Sequence, residues 1–295
     1  DRNAQLALCS TGQCSFYYPT TLDEVAAMQN AVSSGVVQGT FLPEIGPGSF
    51  TDYLFYNFNN TNQCKADMFR NTIFRQAINI MIDRQALIDA ALGGLGVAGY
   101  DYNTSASKPF DAAFLDPFEF NPERGVEMLA TIGFTQMGDD GVLTNPETGC
   151  RVEFDVQYND GNNRRAQEAL VMQQTASAYG VKINPKAVSV EEWSDAWVGG
   201  DVDNPSGTNV FRIASNLNGW NKDKLAADPW EILVDRMTVQ MDGTLDLAKR
   251  VEIYNERAVI MREQLPLTPL ISPSFHVYTN MSNVWPVEFM DSISI

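Results

Sequence analysis

The residue best suited to contact a ligand is Trp220, which stands in a polar segment between Ser215 and Pro229, SNLNGWNKDKLAADP. This segment is too polar to be buried core and too aromatic for a purely solvated loop, which is typical of a functional loop. The chemistry that it indicates is non-covalent binding through the indole and the Asn, Lys and Asp side chains around it. The alternative is that Trp220 packs beneath its own loop.

The sequence contains little that would indicate an enzyme with covalent catalysis. A Ser-His-Asp arrangement or a cysteine nucleophile would have to use His276, the single histidine, and no G-x-S-x-G sequence displays a serine. The glycines of GGLGVAG, Gly93 to Gly99, follow a helix and not a strand, so we interpret them as a helix end and a loop, not as a dinucleotide fingerprint. We therefore predict neither an enzyme nor a cofactor.

The cysteines indicate a disulfide and no metal. Cys9 and Cys14 enclose four residues, a loop that could close a small hairpin, and Cys64 and Cys150 complete an even number. No two cysteines have the spacing of a zinc site, and one histidine adds little. We expect at least one disulfide and an oxidising compartment, against the alternative of four unpaired thiols.

Composition excludes several classes of protein. The 295 residues are 44% hydrophobic, which suffices for two domains or one large one, and the net charge is -17, from 37 acidic and 20 basic residues. Phosphate binding needs clustered Lys and Arg, so neither a nucleic-acid partner nor a polybasic membrane contact is expected. No stretch approaches 18 apolar residues. Because the chain begins at Asp1, we expect a processed or trimmed product.

The strongest helical pattern lies between Phe69 and Leu92, and it predicts two helices joined at Asp83, whose side chain would cap the second. An apolar stripe with helical spacing runs through this stretch, and three polar residues fall outside it. The stripe comprises Phe74, Ala77, Ile78 and Met81, and the polar residues are Arg70, Arg75 and Asn79.

Alternating helices and strands make the rest an α/β chain. The predicted helices are 22–32, 121–132, 163–179, 190–198 and 245–265; the predicted strands are 36–42, 53–58, 150–158, 181–188 and 209–214. Pro43 to Ser49 should be a loop, and Ser274 to Thr279 an irregular or edge strand. Trp193 and Trp197, four residues apart, favour packing over ligand stacking.

Several segments together resemble one known family. FRQAINIMIDRQALID at Phe74 to Asp89 is similar to the signature segment of the family 5 extracytoplasmic solute-binding proteins, the dipeptide and oligopeptide receptors of ABC importers. Four further resemblances follow in that family's order and cover nearly the whole chain. They are TLDEVAAMQN with YLFYNFN; NPERGVEMLATIGF; RRAQEALVMQQTASAYGVKI with EEWSDAWVGGDVD; and YNERAVIMREQLPLTPLISP.

The resemblance implies lobe two of a two-lobed, periplasmic-binding-protein-like fold of type II, cluster C, with fragments of lobe one. Residues 1–50 would be a remnant of lobe one and the hinge approach, 51–272 lobe two, and 273–295 the return toward the hinge. It further implies a monomeric receptor, periplasmic or extracytoplasmic and lipid-anchored in some full-length forms, that delivers a small solute to a membrane permease.

The resemblance also implies a binding site. Gly219, Trp220 and Asp223 match a Gly-Trp-x-x-Asp segment whose acid pairs with the amino terminus of a peptide ligand. The sequence departs from that pattern at Asp228-Pro229, so Asp228 competes for the charged role. Asn216, Asn218 and Asn221 beside Trp220 would suit a sugar equally well, and nickel complexes and opine-like solutes are further alternatives within the family. A hydrolase using His276 and a protein-interaction domain are the alternatives from other classes.

Overall fold

A computed structural model describes residues 2–19, 21–47, 51–99, 118–193, 209–214 and 228–279, and the following statements concern these residues. Helices and strands alternate along the chain. The helices are α1 Arg2–Ser10, α2 Leu22–Ser33, α3 Gln63–Arg70, α4 Thr72–Ile80, α5 Arg84–Leu92, α6 Pro122–Thr131, α7 Asn163–Ser177, α8 Pro229–Asp242 and α9 Leu247–Gln264. Residues 190–193 form one further helical turn.

The strands form two main sheets and one hairpin. They are β1 Phe16–Tyr17, β2 Thr40–Pro47, β3 Tyr53–Phe55, β4 Gly96–Ala98, β5 Gln136–Met137, β6 Leu143–Thr144, β7 Glu153–Asn159, β8 Lys182–Val188, β9 Asn209–Ala214, β10 Leu267–Pro269 and β11 Ile271–Thr279. The first sheet has the order β1-β11-β2, with β4 also paired to β11. The second has the order β10-β3-β9-β7-β8, and β5 pairs with β6.

The second sheet combines parallel and antiparallel pairs. β7 runs parallel to both β8 and β9, and α7 makes the crossover between β7 and β8, as parallel neighbours require. β3 is antiparallel to β9 and to β10. The carboxyl ends of β7, β8 and β9 therefore lie at the edge where β3 begins.

The two sheets carry separate hydrophobic clusters. The larger lies on the second sheet and the helices packed on it, and it contains an edge-to-face triangle of Phe69, Phe74 and Phe154 with ring centroids 5.8–6.2 Å apart. The smaller joins α1, α2 and the first sheet through residues such as Met28 and Tyr278. The chain thus buries two cores, joined where β2 continues to β3 and β10 to β11.

The helical stretch between Phe69 and Leu92 contains the two predicted helices, α4 and α5. Phe69 belongs to the preceding helix, α3, which ends at Arg70, and Asn71 caps α4 by accepting hydrogen bonds from the amides of Ile73 and Phe74. Asp83 caps α5 as predicted, accepting from the amide of Ala86 at 3.0 Å. The prediction of two helices joined at Asp83 is therefore confirmed, except that the first helix begins at Thr72 and not at Phe69.

Two of the polar residues outside the apolar stripe are nevertheless buried. Arg75 and Asn79 are 0% and 1% exposed. The guanidinium of Arg75 donates to the carbonyls of Phe69 and Gln264, at 2.6 and 2.8 Å, and so joins α4 to the end of α9. Asn79 accepts from the Arg84 guanidinium at 2.6 Å. These two polar side chains can be buried because their hydrogen-bonding groups find partners within the protein.

Three strand predictions need correction. Pro43 lies within β2, not in a loop, and β2 begins at Thr40, later than predicted. The glycine-rich stretch after α5 ends the helix at Gly93, whose φ is 55°, but then forms β4, since β11 offers it a partner. Ser274 to Thr279 is an irregular strand, as one of the two predicted alternatives had it, with a register shift between Phe275 and Val277, but it is not an edge strand, because β11 lies between β1 and β2. The sequence predictions assigned no helix to α1 or α8.

Candidate functional site

The candidate site is the edge of the second sheet at which its parallel strands end. β7 ends at Asn159, β8 at Val188 and β9 at Ala214. The amide of Asp160 donates to the carbonyl of Val188 at 2.7 Å, which fixes the first two ends to each other. In open α/β sheets ligands bind beyond the carboxyl ends of parallel strands, so this edge is where a solute is to be sought.

The predicted binding segment continues directly from this edge. Residues 215–227 follow β9, and Ala214 is paired with Tyr53 at the start of β3. The predicted site residues Trp220, Asp223, Asn221 and Asn216 lie outside the described residues, as does Trp197.

Asp228 is described, and it immediately precedes α8. Its amide donates to the buried carboxyl group of Glu231 at 2.8 Å. Because an acid before Pro229 at a helix start is well placed for capping, this position accounts for Asp228 without a ligand.

Four charged side chains meet beside the same edge. Asp52, in the link between β2 and β3, is fully buried, and one carboxylate oxygen accepts from Nε of Arg164 at 2.7 Å. The other accepts from Nε and Nη2 of Arg165, each at 3.4 Å. Glu168, one turn further along α7, lies 3.6 Å from Arg164. Removing either member of such a buried pair leaves an uncompensated charge, which is costly.

Glu168 is the unusual member of this cluster. Its side chain is fully buried, and within the described residues neither carboxyl oxygen accepts a hydrogen bond. Burial, followed by the nearby charge of Asp52, raises the pKa of Glu168 well above its ordinary value, against the attraction of Arg164 and Arg165. The folded chain therefore retains a proton on Glu168 to higher pH than an exposed glutamate would.

Arg165 connects the cluster to the strand ends. Its Nη1 donates to the side-chain oxygen of Asn159 at 2.8 Å. The guanidinium also lies over the ring of Trp193, 5.1 Å from the centroid, in the helical turn that follows β8. Trp193 packs against protein here, which agrees with the prediction of packing and not of ligand stacking.

His276 is buried on β11, 4% exposed. With Tyr18 and Arg164 it borders a cavity of about 30 Å³. This volume holds a water molecule or two but not a substrate.

The cysteines form two disulfides, Cys9–Cys14 and Cys64–Cys150. The prediction of at least one disulfide is thus confirmed. Among the described residues, no three His, Cys, Asp or Glu side chains are grouped so that they could hold a metal ion. Nor, among these residues, is any helix long and apolar enough to cross a membrane.

The sequence predictions missed the charged cluster. One local signal was present: Arg164 and Arg165 occupy the first turn of α7, where the helix dipole disfavours cations, so compensating acids nearby were to be expected. Their partner Asp52 is more than one hundred residues away in the chain.

Known structures share this fold. The oligopeptide-binding protein AppA of Bacillus subtilis, solved with a nonapeptide, matches with a TM-score of 0.74 and 18% identity over 97% of this chain and 56% of that one. MelB of Agrobacterium fabrum, solved with stachyose, matches with a TM-score of 0.77 and 18% identity over 94% and 45%. NikA of Brucella suis, solved with Fe(III)-EDTA, gives 0.73 and 15% identity over 95% and 56%. The chain therefore has the α/β fold of part of a two-lobed periplasmic binding protein.

Sequence comparison gives the family. The profile described as "Bacterial extracellular solute-binding proteins, family 5 Middle" matches residues 1–208. A Deinococcus radiodurans protein described as "Probable ABC transporter-binding protein" is 31% identical over 92% of this chain and 49% of its own length. AppA of Bacillus subtilis is 26% identical over 66% of this chain and 32% of its own. The chain belongs to the family 5 extracellular solute-binding proteins, a family of receptors, and it spans about half the length of most of these relatives.

Proposed function

We propose that the chain is the C-terminal part of an ABC-importer receptor that captures short peptides outside the cytoplasmic membrane and delivers them to a membrane permease. The observation that carries the proposal is the edge formed by β7, β8 and β9, from which the Gly219-Trp220 segment continues. Binding would shift an open state to a closed one, with no covalent step.

The lobe boundaries belong to this proposal. We assign residues 51–272 to lobe two, because the larger core and the second sheet fall within them. Residues 1–50 and 273–295 would belong to lobe one and the hinge, since β1, β2 and most of β11 build the first sheet. The receptor would act as a monomer, with a lipid anchor in the full-length protein where its host uses one.

Within the site, we propose that Asp223 pairs with the ammonium group of the peptide and that Trp220 covers its backbone. A carboxylate in a closing, partly dry cleft holds an ammonium group far better than an exposed one. Asn216 and Asn221 would supply hydrogen bonds, and Asp228 remains the competing acid. Relatives described as di/tripeptide-binding and dipeptide-binding proteins of Pseudomonas aeruginosa support the choice of a peptide.

Thermal unfolding of the full-length receptor with defined probes tests the proposal. Trialanine should raise the melting temperature, because a ligand at about 100 times its Kd stabilises by about 2.7 kcal/mol. N-acetyl-trialanine, which lacks the ammonium group, should raise it far less. Asp223→Asn should abolish the difference between the two peptides, whereas Asp139→Asn, at the exposed turn of the β5–β6 hairpin, should keep it.

Other outcomes would contradict parts of the proposal. Stabilisation by stachyose or by a nickel–histidine complex, with none by peptides, would replace the peptide by one of the alternative ligands. We expect the 295-residue chain alone to bind weakly or not at all; micromolar binding by it would contradict our division of the site between the lobes. Hydrolysis of peptides that is lost in His276→Ala would contradict a receptor without catalysis.

A further inference from the structure

Two short links, in which a strand of one sheet is followed directly by a strand of the other, lie side by side, and Asp52 stands where these two crossings meet. One crossing joins β2 to β3, and the other joins β10 to β11. The amide of Asp52 donates to the carbonyl of Ile271 at 2.9 Å, and its carbonyl accepts from the amide of Leu270 at 2.8 Å. Beside it, the hydroxyls of Thr51 and Ser272 are 2.6 Å apart. The backbone of Asp52 therefore ties both crossings together.

The side chain of Asp52 points away from this crossing to the start of α7. Both carboxylate oxygens are used, one by Arg164 and one by Arg165. Both arginine side chains are mostly buried, at 17% and 9% exposure. Screening by water is weak in such a place, so these ionic hydrogen bonds constrain geometry more than a surface pair would.

Arg165 carries the constraint to the strand ends. A guanidinium is planar and presents several donors in a rigid fork, so the groups bound to it are held in a fixed arrangement relative to one another. The Nε and Nη2 side of Arg165 faces Asp52, and Nη1 reaches Asn159 at the end of β7. Its flat face covers Trp193 after β8. One side chain thus contacts the crossing and both loops at the edge of the sheet.

We infer that Asp52 is a positioning residue that, through Arg165, holds segments 159–163 and 189–193 at the edge where a solute binds. The inference rests on the proposed function for the meaning of that edge, but not for the coupling itself. A movement of the crossings would be passed to both loops by this one contact. Asp52 need not touch the solute.

Hydrogen exchange measured by mass spectrometry on the ligand-free chain tests the coupling. Asp52→Asn should speed amide exchange in 159–163 and 189–193 by about tenfold or more, the effect of losing hydrogen bonds to a charged group. Arg165→Lys keeps a cation for Asp52 but loses the fork, and it should have the same effect on both segments. Residues 122–131 and 136–144, which lie away from the cluster, should be unchanged.

The matched control is Arg151→Lys, which alters a half-exposed arginine paired with Asp140 in the same sheet region. It should leave both segments as in the parent chain. The double variant Asp52→Asn/Arg165→Lys should exchange no faster there than Arg165→Lys alone, since Asp52 acts through Arg165.

Two results would overturn the inference. One is faster exchange spread evenly over the chain in Asp52→Asn, which would make Asp52 a general stabilising residue. The other is unchanged exchange of both segments in Arg165→Lys, which decides the question even when Asp52→Asn fails to fold. Failure of every peptide to bind the receptor would contradict the proposed function and leave these exchange rates unaffected.

Discussion

The buried carboxyl group of Glu168 should make the stability of this chain depend on pH. Its side chain has no exposed surface, and burial together with the charge of Asp52 raises its pKa well above the ordinary value of 4.5. Arg164 and Arg165 lower the pKa of Glu168, but their effect is smaller than the increase caused by burial and by Asp52. We predict that Glu168→Gln, which resembles the protonated form in shape and charge, removes this part of the pH dependence.

The sign follows from proton binding. Between pH 4.5 and the higher pKa of the folded state, the folded chain holds a proton on Glu168 that the unfolded chain has released. The stabilisation is therefore fully present below pH 4.5 and is lost as the pH rises through the pKa of the folded state. The largest slope for one group is about 1.4 kcal/mol of unfolding free energy per pH unit. The free energy of unfolding of Glu168→Gln should accordingly increase relative to that of the parent chain as the pH rises.

Urea unfolding at pH 5, 6, 7 and 8, at constant ionic strength, measures this difference. The free energy of unfolding of Glu168→Gln, relative to the parent chain, should grow over at least part of this range. Glu127→Gln, the same change at an exposed position of α6, should give a difference that varies little with pH. Parallel curves for Glu168→Gln and the parent chain would refute the reasoning, because they would mean that Glu168 is ionised in the folded state throughout.

Three further predictions concern stability. Replacing the Cys64–Cys150 pair by serines should cost about 4–5 kcal/mol of unfolding free energy, and replacing Cys9–Cys14 about 2, because the closed loops span 86 and 5 residues; urea unfolding of the two double variants measures the difference. Gly125→Ala should lower the melting temperature, at a cost of about 1–3 kcal/mol, since the new Cβ would lie 2.5 Å from Cγ of Met81. Gly141→Ala is the contrasting case: nothing lies within 4 Å of the new Cβ, but φ is 78°, so its cost should come from the backbone and not from a steric clash. Phe154→Ala should cost about 3–5 kcal/mol, because it empties the centre of the larger core, and a loss below 1 kcal/mol would contradict the packing described.

Elements fixed by neighbouring residues could be predicted from the sequence. Asp83 and Asn121 each cap a helix by accepting a hydrogen bond from the amide three residues later. Gly133, with a φ of 96°, lies in the turn that directly follows α6. β9 has the bounds that its apolar pattern indicated. In each case the determining contact lies within one turn or one strand, which is the range that a local pattern covers.

Long-range contacts account for the features that local patterns did not predict. Arg75 is buried because the carbonyl end of α9, 189 residues later, needs donors that its own helix cannot give. β11 is a central strand because β1 and β2, more than 200 residues earlier, flank it. Neither partner can be inferred from helical or strand spacing. The same holds for the charged cluster. Arg164 and Arg165 are neighbours in the first turn of α7 and can be recognised from the sequence, whereas their partner Asp52 lies more than one hundred residues earlier and cannot.

The position of Asp52 also limits how the two sheets can move relative to each other. The crossings are hydrogen-bonded to each other at Asp52, and β3 continues the contact by pairing with β10. Two strands joined in this way twist or bend together and do not slide apart, because sliding would break buried backbone hydrogen bonds. Any closure about this crossing is therefore a bend of a paired ribbon. Since the carboxylate of Asp52 is held by α7, that bend must either carry the start of α7 with it or break the contact with Arg164 and Arg165.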